Sequence, residues 1–326
     1  MAAVGSALDR RTSLPSYSLY GDSFDSLAPR PEQLAGLDAL VFDVQDVGAR
    51  YYTFVWTMAL CMRAAKKVDL TFFVLDRPNP LGGRTIEGPL LQPGYESFVG
   101  LCPGFPVRHG CTAGEIARIV NSEIGCDLRV IAAQGWRRDA QWESTGLPWL
   151  WPSPNMPTID TARVYPGMCL VEGTNLSEGR GTTRPFEVSG APFLEPNALA
   201  SALEAEALPG VAFRPISFRP TFHKHAGTTC GGVFLHVTNR ETFRPFRTGI
   251  AFLRAARRLG GERFSWRTER YEFVDDKPAI DLLCGGSRLR ALIDADAPLE
   301  EMTGGWAEDE AAFAARRAPF LLADYG

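Results

Sequence analysis

The sequence predicts an α/β protein: a Rossmann-like, parallel-sheet N-terminal domain over residues 1–190 and a smaller α+β C-terminal domain over residues 191–326. Three observations predict it. Short β-rich apolar runs alternate with helix-period segments, a proline-rich hinge interrupts that rhythm, and the texture beyond the hinge differs. Strand, helix and strand in repetition imply right-handed crossovers and a layered parallel sheet.

The first run is ALVFDV (Ala39–Val44), followed by a helical pattern near Thr53–Lys67. The second is LTFFVLD (Leu70–Asp76). The next helix opens on a capping box, Thr112-Ala-Gly-Glu115, in which hydroxyl and carboxylate satisfy each other's free backbone amides. LRVIAA (Leu128–Ala133) and MCLVEG (Met168–Gly173) are read as the third and fourth strands, being short, apolar and β-rich. The hinge is GAPFLEP (Gly190–Pro196), and a helix begins near Asn197. Beyond it come a strand, GGVFLHVTN (Gly231–Asn239), a helix at Ile250–Leu259 closed by Gly260 and Gly261, and a helical tail around Ala307–Arg317. No internal repeat is present.

The 326 residues, 45% hydrophobic, suffice for a sizeable core and about two domains. The net charge of -4 is spread along the chain with no basic block, so neither nucleic acid nor an anionic membrane is an expected partner. No stretch reaches the ~20 apolar residues of a membrane span. The opening MAAVGSALDRRTSLPSYSLY lacks a basic start followed by an apolar core, which taken literally points to the cytoplasm. Seven scattered cysteines without C-x-x-C or zinc-like spacing read as reduced core thiols. With four histidines and no paired spacing, no metal site is expected.

Ligands of open parallel sheets bind beyond the carboxyl ends of the strands, so the residues following each run carry the functional expectation. The first run ends in Asp43, Gln45, Asp46, Arg50, Tyr51 and Tyr52, the second in Asp76, Arg77 and Asn79. The fourth ends in Glu172, Asn175, Glu178 and Arg180, and the Pro-Ser-Pro-Asn155-Met-Pro stretch precedes it. Carboxylates, amides and arginines on one sheet edge suit a polyhydroxylated, anionic ligand, because an arginine grips a carboxylate with two parallel bonds. Tyr51, Tyr52, Trp136, Trp149 and Trp151 offer faces for a sugar ring. Glycoside hydrolysis uses two carboxyl groups, and Asp43, Asp46, Asp76, Glu87, Glu172 and Glu178 form the available pool.

Structural roles compete for the same residues. A strand-end Asp is a good turn former or helix cap, and Arg77 can pair with Asp76 or Asp46. The glycines around Arg180 lack both G-x-G-x-x-G and the Walker lysine, which argues against a phosphate loop. His225 and Cys230 suggest a nucleophile and base, with a buried structural role as the alternative; His109 and His236 read as structural.

FDVQDVGARYYT, VLDRPNPLGG, EGPLL, PVRHGCTAGEIA, GLPWLWPSPNMPT, YPGMCLVEGTNLSEGRGTTRPFE and KHAGTTCGGV follow one another in that order. Together they resemble the NamZ family of exo-β-N-acetylmuramidases, from about Leu14 to the C-terminus, where YEFVDDKPAIDLLCG also fits. The resemblance implies a cleft between two domains, no metal or organic cofactor, and release of N-acetylmuramic acid from the non-reducing ends of peptidoglycan fragments. The partner is then a small sugar or muropeptide. Glu172, Glu178, Asp43 and Asp46 become candidates for the second carboxylate or for orienting the sugar. Arg50, Arg77 and Arg180 become candidates for gripping the lactyl carboxylate, and Gln45, Tyr51, Asp76, Asn79, Asn155, Asn175 and His225 for the rest of the binding surface.

Family members carry upstream strand–helix sequence with a Gly-Pro-Glu-His-Gly motif, whose glutamate is the expected acid. No Pro-Glu-His occurs here, so the expectation is a misassigned start or a truncation. With it goes an exported, periplasmic or secreted alternative for localisation, and a non-catalytic muropeptide-binding protein or inactive remnant as the alternative function.

Overall fold

The computed structural model describes residues 5–326; residues 1–4, which begin the stretch read as lacking a signal peptide, lie outside it. A short antiparallel pair, β1 (Ala7–Leu8) and β2 (Pro15–Ser16), and one helical turn, α1 (Pro31–Leu34), lead into the first sheet. That sheet is parallel, in the order β3 (Ala39–Phe42), β4 (Thr71–Leu75), β5 (Leu128–Ile131). Helix α2 (Phe54–Lys67) connects β3 to β4, and α3 (Ala113–Ile124) connects β4 to β5. Their apolar faces share one core with the sheet, built on Trp56, Met58, Met62, Phe72, Val74 and Ile116.

The capping box at the start of α3 forms: Thr112 Oγ1 accepts from the Glu115 N–H at 3.3 Å, and Glu115 Oε2 from the Thr112 N–H at 3.0 Å. Asp76, leaving β4, accepts from the Gly114 N–H at 2.8 Å and the Thr112 hydroxyl at 2.5 Å. A carboxylate at a helix N-terminus also meets the positive end of the macrodipole.

Helix α4 (Ile159–Met168) opens the second half of the chain. Its antiparallel sheet is β6 (Val188–Ala191), β7 (Val211–Phe218) and β8 (Cys230–Val237) in the order β6-β8-β7, with α5 (Pro196–Glu204) between β6 and β7. The sequence pattern does not announce β6 or β7. The first runs into the start of the hinge, and the second contains Pro215, which an edge strand tolerates because one side needs no ladder donor. Helices α6 (Pro245–Gly260), α7 (Ala279–Cys284), α8 (Arg288–Asp294), α9 (Leu299–Thr303) and α10 (Trp306–Arg317) follow. A second, larger core joins α4 through α9 to this sheet.

Met168–Gly173 is not a strand. Helix α4 runs into a 3-10 turn over Cys169–Gly173. Cys169, Leu170 and Val171 are all buried, and a short apolar run buried on every side has no period that separates strand from helix. The helix is fixed by a close crossing with α6, where a Cβ built on Gly249 would stand 2.3 Å from the Gly167 carbonyl oxygen.

The C-terminal segment returns to the first core. Phe313 of α10 packs on Phe105 with ring centroids 5.0 Å apart, and the buried Tyr325 donates to Asp76 Oδ2 at 2.7 Å. All seven cysteines are unpaired thiols, six of them buried. Among the described residues no helix is long and apolar enough to cross a membrane.

Candidate active site

The carboxyl edge of the parallel sheet opens on a cleft of about 530 Å³ lined by Asp43, Asp76, Arg77, Gln134, Trp136, Ser144 and Thr145, among others. Arg77 and Asp43 meet across it at 2.6 Å, both well exposed at 40% and 49%. Asp76 is occupied from within: besides Thr112 and Gly114 it accepts from Tyr325 and from the Arg77 N–H at 3.0 Å, and burial raises its pKa against all four. Gln45 Nε2 donates to the Pro78 carbonyl at 3.0 Å and to the Asp46 carbonyl at 2.7 Å, tying the two strand-end loops together. Asn79 does the same deeper in, donating to the Cys111 carbonyl at 2.9 Å and accepting from the Leu81 N–H at 2.8 Å.

Asp46 differs from these. It is 5% exposed, and its Oδ2 accepts from the Gly48 N–H at 2.7 Å while Oδ1 is buried without a partner. Burial pushes its pKa up to about 7; the Gly48 and Val47 amides oppose the rise and nearby Asp76 adds to it. His109 Nε2 stands 3.8 Å from Asp46 Oδ2, and both Nε2 and the Tyr52 hydroxyl are likewise buried without partners. Buried polar atoms are nearly always paired with protein or ordered water, so at these three atoms the protein's own side chains and backbone leave hydrogen-bonding capacity unused.

The polar residues after α4 form a second cluster. Glu178 is wholly buried, with Arg180 Nε, His223 Nδ1 and Lys224 Nζ each 3.1 Å from its oxygens. Burial alone would raise its pKa; His223, Lys224 and Arg180 more than reverse that and hold it at about 2. Arg180 also binds Glu172 at 2.6 Å, and the Tyr271 hydroxyl donates to Glu172 at 2.9 Å. Glu272 borders this group, its pKa raised to about 7 by burial and by Glu172, with Arg267 and Arg180 opposing.

The two clusters share no ion pair or hydrogen bond among the described residues, and the second does not follow a strand of the parallel sheet as the sequence predicts. The reason is the missing fourth strand: Glu172 to Arg180 follow a helix that packs with the second core. A row of aromatic rings joins them instead. Tyr52 meets Tyr165 edge-on at 5.8 Å, Tyr165 meets Phe186 at 4.9 Å, and the Arg180 guanidinium lies 5.1 Å over Phe186.

Several expected binding residues have other partners. Arg50 is fully buried, donates to the Leu283 carbonyl at 2.7 Å and has no carboxylate bound to it. Tyr51 is buried and donates to the Pro166 carbonyl. Asn175 bridges to the Arg263 carbonyl and the Ser265 N–H at 2.8 and 3.1 Å, and its own carbonyl sits 2.7 Å from His225 Nε2. Glu87 accepts from the Arg247 N–H in α6 at 3.0 Å. Asn155 is buried at the end of its Pro-Ser-Pro stretch, its N–H donating to Ser153 Oγ at 3.3 Å.

Residues 1–160 match the N-terminal family model, and residues 163–322 the C-terminal one, of exo-beta-N-acetylmuramidase NamZ. The chain is 45% identical over 321 residues to the peptidoglycan beta-N-acetylmuramidase NamZ of Bacillus subtilis strain 168, spanning 98% of this chain and 75% of that protein. The chain belongs to the NamZ family. Crystal structures of two DUF1343 family proteins from Bacteroides fragilis share the fold. One is 32% identical with a TM-score of 0.88, over 97% of this chain and 82% of its own. The other is 29% identical with a TM-score of 0.75, over 97% and 81%. These likenesses agree with the mixed α/β, Rossmann-like architecture described above.

Within this NamZ-family fold, sequence reasoning read His109 as structural and passed over His223, Lys224 and Glu272. A signal existed for His109: it sits in the loop entering α3, and loops that start helices after parallel strands lie on the carboxyl edge. None existed for the others, which reach Glu178 and Glu172 only through the tertiary fold.

Proposed function

We propose that this NamZ-family protein is an exo-β-N-acetylmuramidase, hydrolysing the bond that links a terminal N-acetylmuramic acid to a peptidoglycan fragment. The observation that carries the reading is Asp46, a buried carboxyl at the sheet edge with one oxygen free and a pKa near 7. A glycosidase needs one carboxylic acid that keeps its proton at neutral pH and another group that stays charged, and environments that drive two carboxyls apart assign those roles. Asp46 suits the first role, and the Glu172–Glu178 cluster supplies permanent charge at the other end of the aromatic row. Tyr52, Tyr165 and Phe186 are buried and connect the two ends through packed rings.

Of the three arginines considered for the lactyl carboxylate, Arg77 fits. Arg50 is sealed in the core and Arg180 is held by two glutamates. Arg77 holds only Asp43 in an exposed pair, which contributes little and yields to a competing carboxylate.

The test is release of N-acetylmuramic acid from a chromogenic β-N-acetylmuramide. Asp46→Asn is expected to lower kcat by a factor on the order of 100 or more, and parent activity to fall as pH rises through about 7. Arg77→Ala should raise KM with kcat nearly unchanged, the signature of lost uniform binding. No release under conditions where the Bacillus subtilis enzyme releases the sugar would refute the reading, and binding of N-acetylmuramic acid without turnover would make the protein a binder instead.

A further inference from the structure

The His109 side chain is 1% exposed and makes one hydrogen bond, in which Nδ1 accepts from the Cys111 N–H at 3.1 Å. A ring nitrogen that accepts carries no proton, so in the neutral ring the hydrogen is on Nε2. That N–H has no partner and stands 3.8 Å from Asp46 Oδ2. The gap exceeds a direct hydrogen bond by about 1 Å, the loose geometry that catalytic pairs show before substrate closes on them.

The loop holding His109 is itself clamped from the far end of the chain. Arg317, the last residue of α10 and 6% exposed, donates from Nη1 to the His109 carbonyl at 2.8 Å and to the Gly110 carbonyl at 2.6 Å. Gly110 is in the left-handed region at φ 59°, and a Cβ there would meet Arg317 Nη1 at 2.5 Å, so guanidinium and backbone are fitted to each other.

We propose that His109 is a positioning residue for Asp46: a neutral imidazole, fixed in one tautomer by Cys111 and in place by Arg317, that presents Nε2–H to the Asp46 carboxyl and leaves Oδ1 for the substrate. Among the described residues the Asp46 carboxyl is the acceptor that stands before this Nε2–H. The charged and titratable groups around the pair are few and fit this role. Burial, Arg317 and Arg108 drive the imidazole pKa down to about 3, so it stays neutral throughout the working range. Asp46 faces His109, the Tyr52 hydroxyl and, from the end of β4, Asp76. A neutral donor beside Asp46 steadies the carboxylate once its proton has left, without an imidazolium that would compete for the same negative charge.

The inference rests on the muramidase reading and on Asp46 within it, and the experiment separates them. His109→Ala, His109→Gln and Asp46→Asn are compared with the parent on the chromogenic β-N-acetylmuramide, recording kcat, KM, the pH profile and the melting temperature. His109→Ala is expected to lower kcat by about ten- to a hundredfold at unchanged KM. It should also move the alkaline limb of the kcat profile upward by on the order of one pH unit, because the ionised carboxylate has lost its donor. His109→Gln, whose amide nitrogen falls near the Nε2 position, should restore most of both. A merely structural histidine would instead give a lower melting temperature, parent kcat and an unmoved limb, and that result overturns the proposal. If Asp46→Asn keeps parent turnover, the assignment of Asp46 fails and the proposal with it.

Discussion

At the scale of single residues, Glu178 is the charge whose environment is most one-sided. It is fully buried, and Arg180 Nε, Lys224 Nζ and His223 Nδ1 each stand 3.1 Å from its oxygens. Its folded pKa of about 2 lies below the ordinary glutamate value of about 4.3, so its contribution is complete above the unfolded value and disappears as pH falls through the folded one. Glu178→Gln keeps the shape but leaves Lys224 with backbone carbonyls alone and Arg180 with Glu172 alone, and is expected to cost about 3 kcal/mol at pH 7. His223 is the most open of the three partners, its side chain 44% exposed, so part of its contribution is screened by solvent. Denaturant titration of both proteins at pH 7 and pH 3 measures this; the deficit should shrink at the lower pH, and an equal deficit would assign the effect to packing. Part of this was legible in the chain. Glu178 and Arg180 stand two apart, so their pairing is a local matter, whereas His223 and Lys224 come from a loop over 40 residues later. The edge residues were readable by a different route: Asp43, Gln45, Asp46, Asp76 and Arg77 follow apolar runs, and the end of a parallel strand has a known address. What the chain does not reveal is which of them are consumed internally, because that depends on donors such as Tyr325.

At the scale of elements, the three parallel strands and helices α2 and α3 were readable because each carries its own punctuation, above all the Thr112–Glu115 capping box. The run Met168–Gly173 failed for the complementary reason: without a polar face there is no period to read. What decides its conformation is the crossing of α4 and α6, which depends on two glycines 82 positions apart, Gly167 and Gly249. Gly249→Ala therefore serves as a test. In most helices this change is favourable by roughly 0.5–1 kcal/mol, because alanine restricts the unfolded chain. Here the added methyl meets the Gly167 backbone at 2.3 Å, and backbone cannot rotate away as a side chain can. The expected result is a net loss of about 2–3 kcal/mol from overpacking, read as a lower denaturation midpoint at unchanged slope. A stabilised variant would mean that the two helices do not cross this closely.

At the scale of the whole molecule, the two cores are joined by the end of the chain. Helix α10 leaves the second core at Trp306 and packs Phe313 into the first, and the chain beyond it brings Tyr325 to the carboxyl ends of β4 and β5. There the Tyr325 hydroxyl accepts from the Ala133 N–H at 2.9 Å and donates to Asp76 Oδ2, and its ring meets Trp136 edge-on at 4.7 Å. Nothing local in the sequence foretells this return, since its partners lie about 190 to 250 residues earlier and contacts of that separation leave no periodic trace. Its consequence is thermodynamic. If each core closed on its own, loosening the first sheet would leave the second untouched; with the same helix built into both, opening one exposes apolar surface belonging to the other. Tyr325→Phe removes one hydroxyl, and with it the bond to the buried Asp76 carboxylate and the acceptor of the partly buried Ala133 N–H, at a cost of about 1–3 kcal/mol. Amide hydrogen exchange locates that loss. Amides of Phe72 and Val74 in β4 and of Val233 and Leu235 in β8 are expected to accelerate together, by the same free energy, as in a single cooperative unit. Faster exchange confined to β4 would show two independently opening lobes, and the edge carrying Asp46 and His109 would then fluctuate free of the charged cluster it faces across the aromatic row.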